Sequence, residues 1–308
     1  MTASTRITAP DALVTSLSAG GDPAALRWIR EVPELAEAAL QRWDLRPDGA
    51  VMHGLAALVL PVLQYDGAPA ALKLHAITTE SRGEGPALTA WNGNGAVQLL
   101  AAHPDEGALL LERLDARRPL SVRTDDDEIT RTIAGLLRRL HRAPAPEGLR
   151  RLSDIAGEMV ERTPREARAL RDPAEGRLLR RFADETAELL GEAGDTLLHW
   201  DLHRDNVLAA SREPWLAIDP QPLIGDPGFE LLPALRDDLD GLNADIGVRP
   251  GLQRRLDILL AELDLDADRA VAWTRARLLQ DALWAIEDGA DTLSALTHEL
   301  HSVLATRG

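Results

Sequence analysis

Apolar residues at Leu26, Ile29, Val32, Leu35, Ala39, Leu40 and Trp43 recur at helical steps, which predicts one or two helices over 24–43, with Pro33 expected to interrupt or kink the pattern. Between residues 50 and 74 the texture changes to short apolar runs, LVLPVLQY and PAALKL among them. His53-Gly54 and the hairpin signal Asp66-Gly67 break these runs, and three antiparallel strands are predicted. Residues 79–91 read as a helix that ends at the loop signal Trp91-Asn92-Gly93-Asn94-Gly95, and AVQLLAAH and ALLLERL supply two further strands. The expectation is a five-stranded antiparallel sheet with one interposed helix.

Beyond Leu114 the pattern turns helical. Ile129, Ile133, Leu136, Leu137 and Leu140 form one stripe, with Asp125 as its cap, Glu128 as the partner three positions on, and a stop at Pro144. Further stripes cover 154–171 and 174–192, and 250–306 is helical again. Between them, TLLHW, NVLAA and WLAID are short β-like runs joined by LHRD and by the turn Ser211-Arg212-Glu213-Pro214. No internal repeat or low-complexity tract appears. The β-rich part meets the helical part near 112–118, so the class is α+β with two lobes, 1–113 and 114–308.

Composition narrows the possibilities further. The 308 residues are 45% hydrophobic and 27% charged, which is ordinary for a folded protein. Absence of cysteine removes disulfides, thiolate nucleophiles and Cys-based zinc sites, and favours a reducing, cytoplasmic setting. The first twenty residues carry no continuous apolar run of the kind a signal peptide or anchor needs. The longest apolar stretch, 54–63, contains Pro61 and is about half the length of a membrane span. Fifty acidic against thirty-four basic side chains give a net charge of −16, which argues against nucleic acid as a partner. Oligomeric state is not readable from the chain.

The chemistry concentrates in His199-Trp200-Asp201-Leu202-His203-Arg204-Asp205-Asn206, followed thirteen residues later by Asp219 at the end of an apolar run. A carboxylate on a loop, an amide five positions on and a second carboxylate at a strand end supply a hydroxyl-orienting group and two hard oxygen ligands for Mg²⁺. Phosphoryl transfer has a loose transition state, so an ordinary Asp serves by holding the alcohol in line and taking its proton late. Upstream, Lys73 is a lone cation in Ala70-Ala71-Leu72-Lys73-Leu74, where burial calls for an anionic partner. A nucleotide phosphate would serve, with Glu80 or Glu84 bracing the ammonium; the alternative is a lysine snorkelling at a strand edge.

HxDxHxxN followed by IDP and GDP resembles the aminoglycoside phosphotransferase and protein-kinase-like superfamily. LLHWDLHRDNVLA, REPWLAIDPQPLIGDPGFELLPAL and LLQDALWAIEDG are similar to its streptomycin 6-phosphotransferase group, and ALKL, GNGAVQLL and LLLERLD extend the likeness along the chain. The resemblance implies a bilobal protein-kinase-like fold, ATP and Mg²⁺ as cofactors, and transfer of the γ-phosphate to an alcohol of a small cationic aminoglycoside, the 6-hydroxyl of streptomycin foremost. It also implies Asp201 as catalytic residue, Asn206 and Asp219 as metal ligands, and Lys73 on the α and β phosphates with Glu84 bracing it. By the same likeness Glu112 to Leu114 would be the hinge whose backbone meets adenine, and Asp226 would tie the catalytic loop; His199 itself reads as a buried support hydrogen-bonded to backbone or to Asp226 rather than as a ligand. His53-Gly54-Leu55-Ala56-Ala57 stands where a phosphate-covering loop belongs, with one glycine where protein kinases have three, and Trp200 stands where many relatives have glycine.

For specificity, Asp281, Trp284 and Asp288 fall at i, i+3 and i+7 on one helix face, and carboxylates with an indole suit guanidinium groups. The bland counterparts are a core tryptophan and a helix-closing Asp288-Gly289; Asp237 and Asp238 are weaker candidates. Two rival classes remain. A metal hydrolase would use the alternation His199, Asp201, His203, Asp205, but it leaves Asn206, Asp219 and Lys73 unexplained. A non-catalytic nucleotide binder would be expected to have lost one of Lys73, Asp201, Asn206 and Asp219, and all four are present.

Overall fold

The computed structural model describes residues 7–19, 23–54 and 56–306. The chain separates into two compact units, Met1–Asp115 and Ala116–Gly308.

The first unit begins with helices α1 (Asp11–Ala19) and α2 (Pro23–Arg42). Pro33 lies inside α2, which runs through it as one 20-residue helix, so the expected interruption does not occur. Burial of Trp28, Val32, Ala36 and Ala39 along one stripe outweighs the missing backbone bond. Strands β1 (Arg46–Pro47), β2 (Met52–His53), β3 (Ala57–Leu63) and β4 (Pro69–His75) follow, then α3 (Glu84–Trp91), β5 (Leu99–His103) and β6 (Ala108–Glu112). The sheet is antiparallel with order β1-β3-β4-β6-β5, and β2 also pairs with β3. The predicted five strands are therefore six across five positions, because two short pieces share one edge. Pro61 explains the break: its carbonyl accepts Asp48 N on that edge at 2.8 Å, and the donor it lacks is missing on the same side.

Alternation in β3, β4 and β6 places Leu58, Leu60, Val62, Ala70, Leu72, Leu74, Ala108 and Leu110 in one core with α1 and α2. Lys73, paired across the ladder with Val59 and Leu109, belongs to the other face.

The second unit contains β7 (Asp115–Pro119), α4 (Asp126–Leu140), α5 (Leu152–Glu166), α6 (Pro173–Leu189), β8 (Thr196–Leu198), β9 (Val207–Ala209), β10 (Leu216–Ala217), β11 (Leu223–Gly225), α7 (Leu232–Leu235), α8 (Leu239–Asp245), α9 (Val248–Leu263), α10 (Ala267–Glu287) and α11 (Ala295–Ala305). Asp125 caps α4 by accepting Glu128 N at 3.0 Å; the reciprocal half of the expected box is absent, because the Glu128 carboxylate pairs with Arg123 at 2.7 Å. Helix α4 packs on α9, and α10 packs on α6 and on the 3₁₀ turn Pro227–Glu230. Two small sheets, β10-β9-β7 and β11-β8, carry the loops that hold the candidate site. Among the described residues no helix is long and apolar enough to cross a membrane.

Candidate active site

Lys73 projects from the middle of β4 and is 5% exposed; Glu84, the first residue of α3, is 3% exposed. Lys73 Nζ donates to both carboxylate oxygens of Glu84, at 2.6 and 2.7 Å. The choice that the spacing left open thus falls to Glu84, while Glu80 is exposed. A buried ammonium and carboxylate each carry a desolvation cost that their pairing offsets, and the result is a cation held in one place. At the end of β6, Glu112 Oε1 accepts Gln98 N at 2.7 Å, and Arg113 donates to the carbonyls of Ala70 and Val62 at 2.7 and 2.6 Å, which anchors the segment leading to Leu114. In the 53–57 turn Gly54 N donates to Ala57 O at 3.0 Å; Leu55 lies outside the described residues.

In the second unit, β8 delivers His199, Trp200 and Asp201, and β10 delivers Ile218 and Asp219. The β9/β10 hairpin pairs Val207 with Ala217, and Ile218 N continues the ladder by donating to Asn206 O at 2.9 Å. Asn206 Nδ2 donates to Asp201 O at 2.9 Å, and fully buried His199 is 3.0 Å from Ile218 O through Nε2, which must carry the proton to bond a carbonyl. These bonds knit the Asp201 loop to the Asp219 turn. Burial pushes the His199 imidazole down to about 4, so it is neutral at physiological pH. Burial also raises the carboxyl of half-buried Asp201, against the lowering influence of His203, Arg236 and Arg277, with Asp219 adding to the rise.

The backbone is unusual at both carboxylate turns: Trp200 has φ 67° and Asp219 has φ 56°. The left-handed region admits glycine readily and L residues reluctantly. A bulky residue there costs about 1–2 kcal/mol. Offsetting contacts surround it: Arg150 lies over the Trp200 ring at 4.9 Å, Arg277 at 5.2 Å, and Phe229 stacks at 6.4 Å.

The donor set of one amide oxygen and one carboxylate, Asn206 and Asp219, fits Mg²⁺. That ion prefers oxygen and completes its shell with water and phosphate oxygens; the Asn206 amide nitrogen is committed to Asp201 O, so its oxygen is the end left to face a cation. The rival alternation His199, Asp201, His203, Asp205 forms no metal centre: among the described residues no three His, Asp or Glu side chains are arranged to hold a metal ion.

The tie expected of Asp226 is made elsewhere. Its carboxylate caps the next turn by accepting Gly228 N at 2.8 Å, and it pairs with Arg269 at 2.6 Å. Glu230, 1% exposed, does the tying: Oε2 accepts His199 N and Trp200 N, each at 2.8 Å, while Oε1 meets His141. Asp237 and Asp238 are likewise engaged, since Arg204, three residues after Asp201, donates its backbone N and its Nε to Asp237 at 2.9 Å and Nη1 to Asp238 at 2.9 Å.

On α10, Asp281 is held by Arg277 at 2.8 Å and by Arg236. Trp284, 42% exposed, lies 4.9 Å from the Arg277 guanidinium and 6.1 Å from Trp200. Asp288 is exposed and closes α10, its N–H meeting Trp284 O at 3.0 Å. Three residues that shape the site, Glu230, Arg236 and Arg277, are absent from the sequence reading. Glu230 in Phe229-Glu230-Leu231-Leu232 carries the signal that singled out Lys73, a lone charge beside an apolar run, whereas Arg277 follows Arg275 by two positions and carries no such mark.

A buried Lys–Glu pair joining a strand to the helix that follows it, and an Asp–Asn–Asp set in the second unit, are the groups that phosphoryl transfer to an alcohol uses, and the fold places the chain in the protein-kinase-like class. An aminoglycoside phosphotransferase solved in ternary complex with ADP and hygromycin B superposes with a TM-score of 0.57, covering 88% of this chain and 97% of that one; at 10% identity the likeness speaks to the fold. The streptomycin 6-kinase of Streptomyces griseus is 50% identical over 94% of both chains, and the hydroxyurea phosphotransferase of Kitasatospora aureofaciens is 49% identical over 87% of this chain and 77% of its own. The profile of the aminoglycoside/hydroxyurea antibiotic resistance kinases matches residues 42–289, and the chain belongs to that family of O-phosphotransferases.

Proposed function

We propose that this protein moves the γ-phosphate of ATP to a hydroxyl of an aminoglycoside-type acceptor, with the 6-hydroxyl of streptomycin as the first acceptor to test. The observation that carries this reading is the half-buried Asp201 carboxylate, raised by burial and knitted through Asn206 to the turn that bears Asp219. Asp201 accepts the hydroxyl hydrogen and holds the oxygen in line with the γ-phosphorus; as the new O–P bond forms and ADP leaves, the proton passes to Asp201. Lys73, braced by Glu84, neutralises the α and β phosphates, and the 112–114 backbone meets the adenine. Asn206 and Asp219 would hold Mg²⁺, which supplies charge neutralisation across the phosphate oxygens. His199 and Glu230 position the loop without touching the reacting atoms.

Likeness to a hydroxyurea phosphotransferase favours a second reading, a small uncharged hydroxyl compound as acceptor. Incubation with Mg·ATP and either streptomycin or hydroxyurea, followed by mass spectrometry, separates the two. One phosphoryl group gained by streptomycin supports the first reading, a gain confined to hydroxyurea supports the second, and no gain on either contradicts both.

A further inference from the structure

Asp281 on α10 stands beside the reactive loop, and a guanidinium of this same protein already occupies it. Its two oxygens are held in different ways. Oδ1 accepts Arg277 Nη1 at 2.8 Å, and Arg277 is locked: it is buried, bonds Gln280 Oε1 through the same Nη1 at 2.6 Å, and lies over Trp200, Phe229 and Trp284 at 5.2, 5.8 and 4.9 Å. Oδ2 accepts Arg236 Nη1, and the Arg236 side chain is 36% exposed against 4% for Arg277. One arginine is part of the wall and the other sits at the surface of it.

The surroundings of that second contact suit an incoming planar cation. Trp284 is exposed and its ring centroid is 6.1 Å from that of Trp200, whose next residue is Asp201.

We propose that Arg236 is the resident occupant of the acceptor's cation seat: a guanidinium of the acceptor takes Oδ2 of Asp281 and the exposed face of Trp284, and Arg236 withdraws into solvent. The proposal rests on the reading that the acceptor binds beside Asp201. Exchange of one guanidinium for another breaks one charge-assisted bond and makes one, so the seat adds selectivity more than affinity. An acceptor without a planar cation leaves Arg236 in place and faces two guanidinium groups instead of a carboxylate.

Methylguanidine, which has no transferable hydroxyl, and streptomycin are titrated calorimetrically without ATP into the wild-type protein, Arg236→Gln, Arg236→Met and Arg236→Gln/Asp281→Asn. Both single variants are expected to bind methylguanidine about threefold to fivefold more tightly than wild type, the size of one part-exposed ion pair removed as competitor. The double variant is expected to lose that gain. Equal or weaker binding of methylguanidine by the single variants overturns the proposal, as does a gain that persists when Asp281 is neutralised. If methylguanidine behaves as expected while the wild-type protein neither binds nor phosphorylates streptomycin, the seat is supported and the acceptor named above is what fails.

Discussion

Glu230 Oε2 accepts the backbone amides of His199 and Trp200 at 2.8 Å each, so one carboxylate holds the two residues that precede Asp201 from thirty positions further along the chain. The same carboxylate meets His141 at the end of α4 through Oε1. Glu230→Ala strips acceptors from two buried N–H groups at once. It is expected to lower unfolding free energy by about 2–4 kcal/mol and kcat by roughly tenfold or more, with the KM for ATP little changed. Denaturant unfolding and steady-state kinetics check it, and an unaltered kcat in a folded variant would contradict the tying role.

Position 200 reverses the usual order of glycine and alanine. Trp200→Gly and Trp200→Ala lose the same contacts with Arg150, Arg277 and Phe229, but only alanine must hold φ near 67° against its Cβ. The glycine variant is expected to be the more stable by about 1 kcal/mol, read as the difference in unfolding free energy.

The Lys73–Glu84 pair separates stability from chemistry. Lys73→Met leaves a buried carboxylate without its ammonium and is expected to cost about 3–5 kcal/mol, whereas Lys73→Met/Glu84→Met, with two apolar side chains, recovers most of that. Phosphoryl transfer is expected to stay lost in both, since neither supplies a cation to the nucleotide phosphates. Thermal melts with and without ATP, together with turnover, test the pair.

His199 gives stability a defined pH window. Its imidazole titrates near 6.5 when unfolded and at about 4 when folded, because burial disfavours the charged form. As pH falls through 6.5 the unfolded chain takes up a proton that the folded chain refuses, so stability is full above that value and declines toward pH 4 by roughly 3 kcal/mol. The slope of unfolding free energy between pH 6.5 and 4 should shrink in His199→Gln; equal slopes in the two proteins would show that the loss comes from other groups.

Much of this was legible from pattern. Helical stripes placed α4, α5 and α6, the stretch 250–306 reads as helical without its division into α9, α10 and α11, short apolar runs about the Asp66-Gly67 turn placed β3 and β4, and the lone cation in an apolar strand pointed to Lys73. Strand β1 escaped because two residues carry no period, and its break from β2 follows from the donor that Pro61 lacks on a neighbouring strand. Asp226 was credited with a tie made by Glu230, four residues on, since both are acidic and the turn Pro227–Glu230 decides which one points back at the loop. Asp237, Asp238 and Asp281 stand in the sequence as candidates for holding a cation, but Arg204 pairs with the first two and Arg236 with the third from other segments, which leaves no mark in local spacing; the Arg277–Asp281 pair, four apart on α10, is the local one.

The central claim is that Asp201 takes the proton of an acceptor hydroxyl during transfer from ATP. Asp201→Asn keeps the size of the side chain and the Asn206 bond to the backbone carbonyl while removing the base. Turnover of streptomycin is expected to fall about a thousandfold or more, with ATP binding by calorimetry unchanged. A variant that still phosphorylates streptomycin at near wild-type rate would contradict the account.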